Sequence, residues 1–333
     1  MKQLLYILSV VSALTACKGA TKPVEQTSQP VVSIQFLADS AYAFCQQQCD
    51  FGPRTMNSEA HQRCAQWIQQ RFEQYGCTVE LQKADLTGFD GTLLHATNII
   101  ARTPSALGPA KRDAILVCAH WDSRPWADND PDEANRRLPV MAANDGASGV
   151  GVMLELARLI QQHRDSLNVD IDFVCFDAED WGIPQWSNAP DNGNSWALGS
   201  QHWAAEYAAR NMNRYRYGIL LDMVGGQGAR FYQEQMSIQY APNIVDRVWV
   251  AAKTAGYGSL FPAEDGHAIT DDHIPVNQVA GVPCIDIIAH YPDCRQSSFG
   301  PTWHTVSDDM QHLDKGVLQA VGQTLVQVLF SEK

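Results

Sequence analysis

The stretch from Met141 to Ile160 constrains the fold of this chain more than any other. In its second half, apolar residues recur at the three- and four-residue spacing of one helix face. They are Val150, Met153, Leu154, Ala157 and Ile160. The first half is rich in glycine and other small residues, which predicts a tight loop that lets backbone and ligand approach closely. This loop presents one carboxylate, Asp145, at the start of the predicted helix.

Four other segments end in residues that can bind metals, where an apolar strand runs out. They are Ala114–His120, Asp172–Asp180, Gly218–Asp222 and Cys284–His304. In open α/β sheets, ligands bind at the carboxyl ends of the strands, beside loops that open helices. The pattern therefore predicts a functional site at one edge of a sheet.

Strands alternate with helices along the chain, which favours a sheet covered by helices on both faces. Two early segments, Thr78–Ala84 and Leu93–Arg102, alternate around the Gly88–Gly91 turn and predict an antiparallel pair at the sheet edge. We therefore predict one α/β domain over residues 33–333, with a mixed, twisted central sheet. Two long loops, Trp121–Pro139 and Ala178–Asn194, have the length at which loops of compact domains are usually functional or disordered.

Length and charge narrow the classes of function. The chain has 333 residues, which is enough for one large core. Its formal net charge is −13. Because nucleic-acid affinity depends on neutralising phosphates with Lys and Arg, we expect no nucleic-acid partner.

The N-terminus predicts export. Met1–Ala16 combines Lys2, an apolar run and small residues, as targeting segments do. Leu14-Thr-Ala-Cys17 resembles the lipobox of bacterial lipoproteins, so residues 1–17 are interpreted as a lipoprotein signal peptide with Cys17 as the lipidated residue. Residues 18–32 have the composition of a flexible tether. We expect a lipid-anchored protein of the bacterial cell envelope, on the periplasmic face. The alternative is an ordinary secretory signal with an incidental cysteine.

The remaining cysteines do not suggest a metal site. No Cys-x-x-Cys pair is present, so a zinc finger with cysteine ligands is unsupported. Four cysteines lie in the N-terminal helical region: Cys45, Cys49, Cys64 and Cys77. An oxidising compartment permits disulfides there, but their pairing cannot be deduced from the sequence.

Borderline metals such as zinc bind imidazoles and carboxylates that converge from different elements. The candidate ligands are His120, Asp145, Asp180, Asp222 and His304. Asp122 is spaced to pair with the imidazole of His120 and fix its tautomer. Glu179 precedes the ligand Asp180 and would remain free as a general base.

Each of these residues also has a structural explanation. His120 alone could be a satisfied core histidine, and His304 alone a loop histidine. A lone Asp222 at a strand end is usually a turn or cap residue. Glu179 and Asp180 could form a solvated acidic loop. Their joint occurrence at strand ends favours a metal site.

Five ordered motifs resemble those of the zinc exopeptidases of the aminopeptidase family, and above all the animal-type glutaminyl cyclases and their bacterial relatives. The motifs are His120-Trp-Asp-Ser, Asn144-Asp-Gly-Ala-Ser-Gly, Asp177-Ala-Glu-Asp, Leu221-Asp-Met-Val-Gly and Trp303-His-Thr. In two-zinc aminopeptidases, the five positions that match our candidate ligands bind the metals, and the position of Glu179 is the base. In the cyclases the resemblance implies one zinc ion bound by Asp145, Asp180 and His304. His120 then either joins a second metal site or supports the first from outside it.

Further features resemble the cyclases. Asp271-Asp-His-Ile-Pro275 is similar to the segment whose first aspartate supports proton transfer, and Asp222 would serve the same hydrogen-bond network. Trp303 resembles a wall of the cyclase substrate pocket, and Phe299 and Trp186 are expected to supply the other walls. One difference is that animal cyclases have Glu-Glu where this chain has Glu179-Asp180. Since the ligand is one methylene shorter, the backbone must approach the metal more closely.

The resemblance implies cyclisation of N-terminal glutamine to pyroglutamate with release of ammonia. The expected partners are peptides and proteins with N-terminal glutamine, and the membrane through the lipid anchor. One alternative is a two-zinc aminopeptidase that hydrolyses N-terminal residues. Another is a non-catalytic lipoprotein that binds peptides or stores zinc, against which the intact Glu179 argues. A serine hydrolase is unsupported, because the sequence has no Gly-x-Ser-x-Gly elbow.

Overall fold

The computed structural model describes residues 30–104, 114–190 and 194–333. The helices of this part of the chain are α1 Ala38–Cys49, α2 Glu59–Gln74, α3 Ala147–Gln162, α4 Leu198–Ala209, α5 Gln235–Tyr240, α6 Pro242–Thr254, α7 His273–Gln278 and α8 Lys315–Leu329. The strands are β1 Thr78–Thr87, β2 Leu93–Arg102, β3 Ala114–His120, β4 Asp170–Phe176, β5 Tyr215–Asp222, β6 Arg230–Phe231 and β7 Cys284–His290.

The strands form one mixed sheet in the order β1-β2-β4-β3-β5-β7-β6. The four strands β4, β3, β5 and β7 run parallel to one another. β1 pairs antiparallel with β2 at one edge, and the short β6 pairs antiparallel with β7 at the other. The predicted mixed sheet with an antiparallel edge pair is thus confirmed. Because the parallel strands share one direction, their carboxyl ends lie at the same edge of the sheet.

Helices cover both faces of the sheet. One core cluster joins α1, α2, α3, α6 and α8 to the sheet, and α3 at its centre is buried along almost its whole length. A second cluster on the other face includes Trp203 and Tyr207 of α4 and Val276 of α7. The helix predicted within Met141–Ile160 is α3, and it packs at the middle of the larger of the two core clusters.

The chain enters the domain as a non-helical segment before α1. α1 begins only at Ala38, because α8 holds the preceding backbone with three glutamines one turn apart, Gln319, Gln323 and Gln327. Gln323 shows the pattern. It accepts from the amide of Phe36 at 2.8 Å and donates to the carbonyl of Ile34 at 2.9 Å. These side-chain amides satisfy a backbone that would otherwise favour helix.

The same contacts reach the end of the predicted tether. The amide of Val32 donates to Gln327 at 2.9 Å, so residues 30–32 are held against α8. The predicted signal peptide 1–17, its Cys17 and tether residues 18–29 lie outside the described residues. Among the helices that the structure describes, none has the length and apolar character that crossing a membrane requires.

All eight cysteines in the described part of the chain are free thiols. Seven of them are buried, and Cys294 is partly exposed. The disulfides that the predicted compartment would permit among the N-terminal cysteines are therefore not formed here.

We predict that Gly149→Ala destabilises the protein although alanine is the better helix former by about 1 kcal/mol. A Cβ at Gly149 would lie 2.7 Å from the Cβ of Ala119 and closer still to the carbonyl oxygen of Leu221. We expect the free energy of unfolding in urea to fall by about 1–3 kcal/mol, the usual effect of overpacking. The control is Gly258→Ala, whose Cβ would meet Lys253 only at 3.5 Å. An unchanged or raised stability of Gly149→Ala would contradict the close packing of α3.

Candidate metal centre and active site

The sheet edge brings the predicted ligands together. All five are buried: His120, Asp145, Asp180, Asp222 and His304. His120 ends β3, Asp222 ends β5, and Asp180 follows β4 in the loop. Two groups form, His120–Asp145–Asp222 and Asp145–Asp180–His304, and within each group the ligand atoms lie within 4.8 Å of one another. Asp145 belongs to both groups.

The two imidazoles face opposite oxygens of Asp145. Nε2 of His120 lies 2.9 Å from Oδ1, and Nε2 of His304 lies 3.6 Å from Oδ2. Nε2 of His120 is also 3.3 Å from Asp222, and Nε2 of His304 is 3.2 Å from Asp180. The carboxylate at the start of α3 therefore lies between the two groups.

The donor atoms fit a bound cation. Both carboxylate oxygens of Asp180 and Oδ1 of Asp222 are buried without a hydrogen-bond partner. Buried polar atoms are normally paired, so orphaned carboxylate oxygens within two groups of potential ligands indicate a missing positive charge. Imidazole with carboxylate is a ligand set typical of zinc. Either group can thus hold a zinc ion.

The charge around the histidines points the same way. Burial alone would lower the pKa of His120, but the carboxylates of Asp122, Asp145 and Asp222 raise it well above its usual value. The pKa of His304 is raised in the same manner, chiefly by Asp180. The ring of carboxylates therefore creates a strongly negative potential that favours a cation at this point.

A buried arginine and aspartate hold His304 and the backbone of Asp180. Nδ1 of His304 lies 3.3 Å from Asp128. Arg124 donates to both oxygens of Asp128, at 3.1 and 2.8 Å, and its third nitrogen donates to the carbonyls of Asp180 and Gly182 at 2.9 Å. Although burial would raise it, the hydrogen bonds from His304 and Arg124 hold the pKa of Asp128 well below its usual range. Such carboxylate partners orient a ligating imidazole.

The loop before α3 is held from the C-terminal side of the chain. Asp308 accepts the backbone amides of Asn144 at 2.8 Å and Asp145 at 3.0 Å. Gly146 follows with a φ of 104°, and a Cβ there would lie 2.6 Å from the carbonyl of Asp122. Glycine is required at this turn, and the position of the Asp145 carboxylate follows from it.

Strained backbone lies beside several ligands. Met223, Ala178 and His304 have φ values of 48°, 52° and 53°. Non-glycine residues in this left-handed region cost of order 1 kcal/mol or more and concentrate at functional sites, where the surroundings enforce them. His304 is a candidate ligand, Met223 follows Asp222, and Ala178 precedes Glu179.

Asp122 contacts both the imidazole of His120 and the backbone of the loop that carries Glu179. It accepts the backbone amides of Glu179 at 3.1 Å and Asp180 at 3.2 Å. Its distance to Nδ1 of His120 is 3.5 Å, and that nitrogen has no hydrogen bond. The predicted partner of the His120 imidazole therefore lies beside it at ion-pair distance, and the same carboxylate also accepts two backbone amides of the loop that carries Glu179.

Glu179 is partly exposed to a cavity beside the metal ligands. Burial of its carboxyl raises its pKa well above the usual value. The charge of His120 lowers this pKa, whereas the charges of Asp180, Asp271 and Asp272 raise it further. A carboxyl group with a raised pKa, beside a candidate metal site, is suited to act as a general base and then as a general acid.

The cavity has a volume of about 370 Å³ and combines a polar floor with aromatic walls. Its floor includes Asp145, Glu179, Asp222, Asp271 and His304, and its walls include Trp196, Phe299 and Trp303. The ring of Trp303 stacks on His304 at 3.9 Å, and Phe299 packs against Trp303 at 5.0 Å. Phe299, Trp303, Asp222 and Asp271 thus meet in one cavity, as predicted.

Trp186 does not belong to the described lining of this cavity, and Trp196 takes the expected position. Trp196 stacks over His304 at 5.9 Å and 15°. Trp186 instead packs against Trp126 at 6.1 Å, with the guanidinium of Arg137 4.0 Å from its ring. The loop 178–194 has no periodicity, so spacing alone could not assign the wall.

Arg54 is a site residue that the sequence did not reveal. It is fully buried and donates to the carbonyl of Trp121 at 3.1 Å. It also donates to Met141 at 2.8 Å and Ala142 at 2.7 Å. It ties the end of β3 to the loop that carries Asp145, across more than 60 residues of chain, and no local pattern predicts such contacts.

Comparisons with known proteins agree with this geometry. Residues 98–329 match the profile of peptidase family M28. The structure is similar to a glutaminyl cyclase from Bacteroides thetaiotaomicron, with a TM-score of 0.85, 46% identity and coverage of 90% of this chain and 99% of that one.

Curated relatives include two kinds of enzyme. A glutaminyl-peptide cyclotransferase of Bos taurus is 26% identical over 254 residues, covering 66% of this chain and 63% of the relative. An aminopeptidase of Bacillus subtilis (strain 168) is 26% identical over 222 residues, covering 66% of this chain and 41% of the relative. The chain thus spans less than two thirds of the length of these curated relatives.

We predict that Asp128→Asn weakens zinc binding by about 10- to 100-fold, the usual effect of removing the partner of a ligating imidazole. The affinity is measured by chelator competition on folded protein. Asp85→Asn is the matched control, since Asp85 also contacts a histidine at 2.8 Å but its side chain is 66% exposed. Equal zinc affinities for the two variants would rule out the assigned role of Asp128.

Proposed function

The chain belongs to peptidase family M28, and within this family we propose that it is a zinc-dependent glutaminyl-peptide cyclotransferase, an acyltransferase. It converts the N-terminal glutamine of peptides and proteins to pyroglutamate and releases ammonia. The proposal rests on the position of Glu179. Its carboxyl group belongs to neither candidate ligand group, and it lines an aromatic-walled cavity beside Asp145, Asp180 and His304. The 46% identity to a bacterial glutaminyl cyclase over nearly its whole length supports it.

Asp145, Asp180 and His304 would hold one zinc ion, which as a Lewis acid would polarise the side-chain amide oxygen of the glutamine. Arg124 and Asp128 keep His304 and the Asp180 backbone in position. Holding the ligands in advance means that little reorganisation is needed when the substrate arrives.

Glu179 moves the proton. It accepts a proton from the α-amine, whose nitrogen attacks the side-chain amide carbon and forms the new C–N bond. It then donates the proton to the amide nitrogen, so that the old C–N bond breaks and ammonia leaves. No water is consumed.

Asp222 and Asp271 support the proton transfer by Glu179, because they line the same cavity. The pKa of Asp271 is raised well above its usual value by burial and by the charges of Asp222 and Asp272. Asp271 lines the same cavity as Glu179, and its charge raises the pKa of the Glu179 carboxyl, which favours the protonated form of the base.

The aromatic walls fit a reaction that must exclude water. Trp196, Phe299 and Trp303 line a cavity large enough for one residue, and the rest of the peptide remains in solvent. Excluding water from the reacting amide favours the intramolecular amine over hydrolysis.

A two-zinc aminopeptidase is the second candidate. It is favoured by one observation, the complete second ligand group His120–Asp145–Asp222. A relative that is an aminopeptidase supports it as well. In that reaction Glu179 would activate water, and the product would be a free amino acid.

We also propose that the enzyme is exported and anchored by a lipid on Cys17 at the periplasmic face of the cell envelope. This rests on the lipobox-like Leu14-Thr-Ala-Cys17 alone. Labelling with a radioactive fatty acid tests it, and Cys17→Ser should abolish the label.

The product decides between the two enzymes. A peptide that begins with glutamine should lose ammonia with its peptide bonds intact, as read by mass spectrometry. Glu179→Gln should lower kcat by about 100- to 10,000-fold, the usual effect of losing a general base, and should keep its zinc. Glu264→Gln, at an exposed position, is the control. A released free glutamine would overturn the cyclase assignment.

Trp196 and Trp186 offer a matched pair. We predict that Trp196→Ala lowers kcat/KM for the glutamine peptide at least about tenfold, the loss expected for an aromatic wall of a buried pocket. Trp186→Ala should change it by less than about threefold, because its ring contacts Trp126 and Arg137 instead of the cavity. The reverse order of effects would contradict the cavity described above.

A further inference from the structure

His61 lies on α2, outside residues 98–329 that match the family, and its side chain is only 3% exposed. Its Nε2 lies 2.8 Å and 3.0 Å from the two oxygens of Asp177, which is fully buried. A hydrogen bond from an imidazole to a buried carboxylate is among the stronger ones in proteins. Asp177 lies two residues before Glu179, at the start of the loop that carries it.

Asp177 in turn fixes the start of that loop. Its Oδ1 accepts the amide of Ala178 at 2.9 Å, and its Oδ2 accepts the amide of Thr97 on β2 at 2.6 Å. Ala178 has the positive φ of 52° that turns the chain toward Glu179. The carboxylate thus stabilises a strained turn that alanine would not adopt by itself.

His61 also contacts the other segment that holds the base. Its ring stacks on Trp121 at 4.3 Å and 17°. Trp121 precedes Asp122, which accepts the amide of Glu179 at 3.1 Å. One imidazole therefore touches both supports of Glu179, the turn that begins at Asp177 and the segment that ends at Asp122.

We infer that His61 is a positioning residue for Glu179, acting through Asp177 and Trp121. This rests on the proposed role of Glu179 as the base. A misplacement of about 1 Å in a catalytic group can lower the rate about 100-fold, so the two supports matter for turnover as well as for folding.

The competing explanation is a histidine that only stabilises the core. The two explanations differ in what they leave unchanged. A purely structural role lowers the folded fraction, but in the folded protein it leaves kcat alone. A positioning role lowers kcat in protein that is folded and contains zinc.

The test compares His61→Leu with His61→Gln. Leucine keeps apolar volume but removes the donor, whereas the glutamine amide nitrogen can occupy the position of Nε2 and donate to Asp177. We expect kcat of His61→Leu to fall about 10- to 100-fold, with KM changed by less than about threefold. His61→Gln should recover most of the loss. His95→Leu is the matched control, since His95 contacts Asp85 at the same 2.8 Å with both side chains about two-thirds exposed.

A second measurement does not depend on activity. Hydrogen exchange of the amides of Ala178, Glu179 and Asp180 should become faster in His61→Leu and stay normal in His61→Gln. Exchange in α8, which His61 does not contact, should be the same in all variants. A purely structural role would raise exchange throughout the chain.

The outcomes separate the two proposals. If the wild type releases no ammonia, the cyclase assignment fails, while the exchange comparison still decides the role of His61. A folded His61→Leu with normal kcat and normal exchange overturns the inference. If His61→Leu does not fold, a folded and zinc-containing His61→Gln with kcat lowered more than about tenfold overturns it as well.

Discussion

The structure depends on one electrostatic constraint, the burial of several carboxylates and two imidazoles at the carboxyl edge of a parallel sheet. Burying the carboxyl groups of Asp145, Asp180 and Asp222 together is costly without a nearby positive charge. Arg124 contributes one such charge from behind Asp180. A divalent cation bound by these candidate ligands would supply the rest. This would explain why Arg124, Asp128, Asp308 and a tight glycine turn hold the candidate ligands in place.

Much of this arrangement can be predicted from the sequence. The carboxyl ends of parallel strands meet at one edge, so polar residues that follow apolar strands, such as His120 and Asp222, were expected to lie together. Alternation around the Gly88–Gly91 turn likewise predicted the antiparallel β1–β2 pair. These patterns are local, with periods of two or about four residues, and each lies within one segment of the chain.

Contacts between distant segments could not be predicted in this way. α1 begins at Ala38 because glutamines of α8, some 280 residues away, bind the backbone before it. Trp196, rather than Trp186, forms the cavity wall. The sequence could not distinguish the two residues, because the loop sequence between them has no repeating pattern. Arg54 and His61 contact segments more than 60 residues away along the chain. Such long-range hydrogen bonds leave no periodic trace in the sequence.

The most direct test of the account is a zinc-edge anomalous diffraction map of the zinc-loaded protein. We expect one zinc ion per chain at about 2.0–2.2 Å from Asp145, Asp180 and His304, the usual range for nitrogen and oxygen ligands. The carboxyl of Glu179 should lie outside this range and remain free. Zinc bound elsewhere, Glu179 among the ligands, or a second zinc at His120 and Asp222 would contradict a single-zinc site with an adjacent free base.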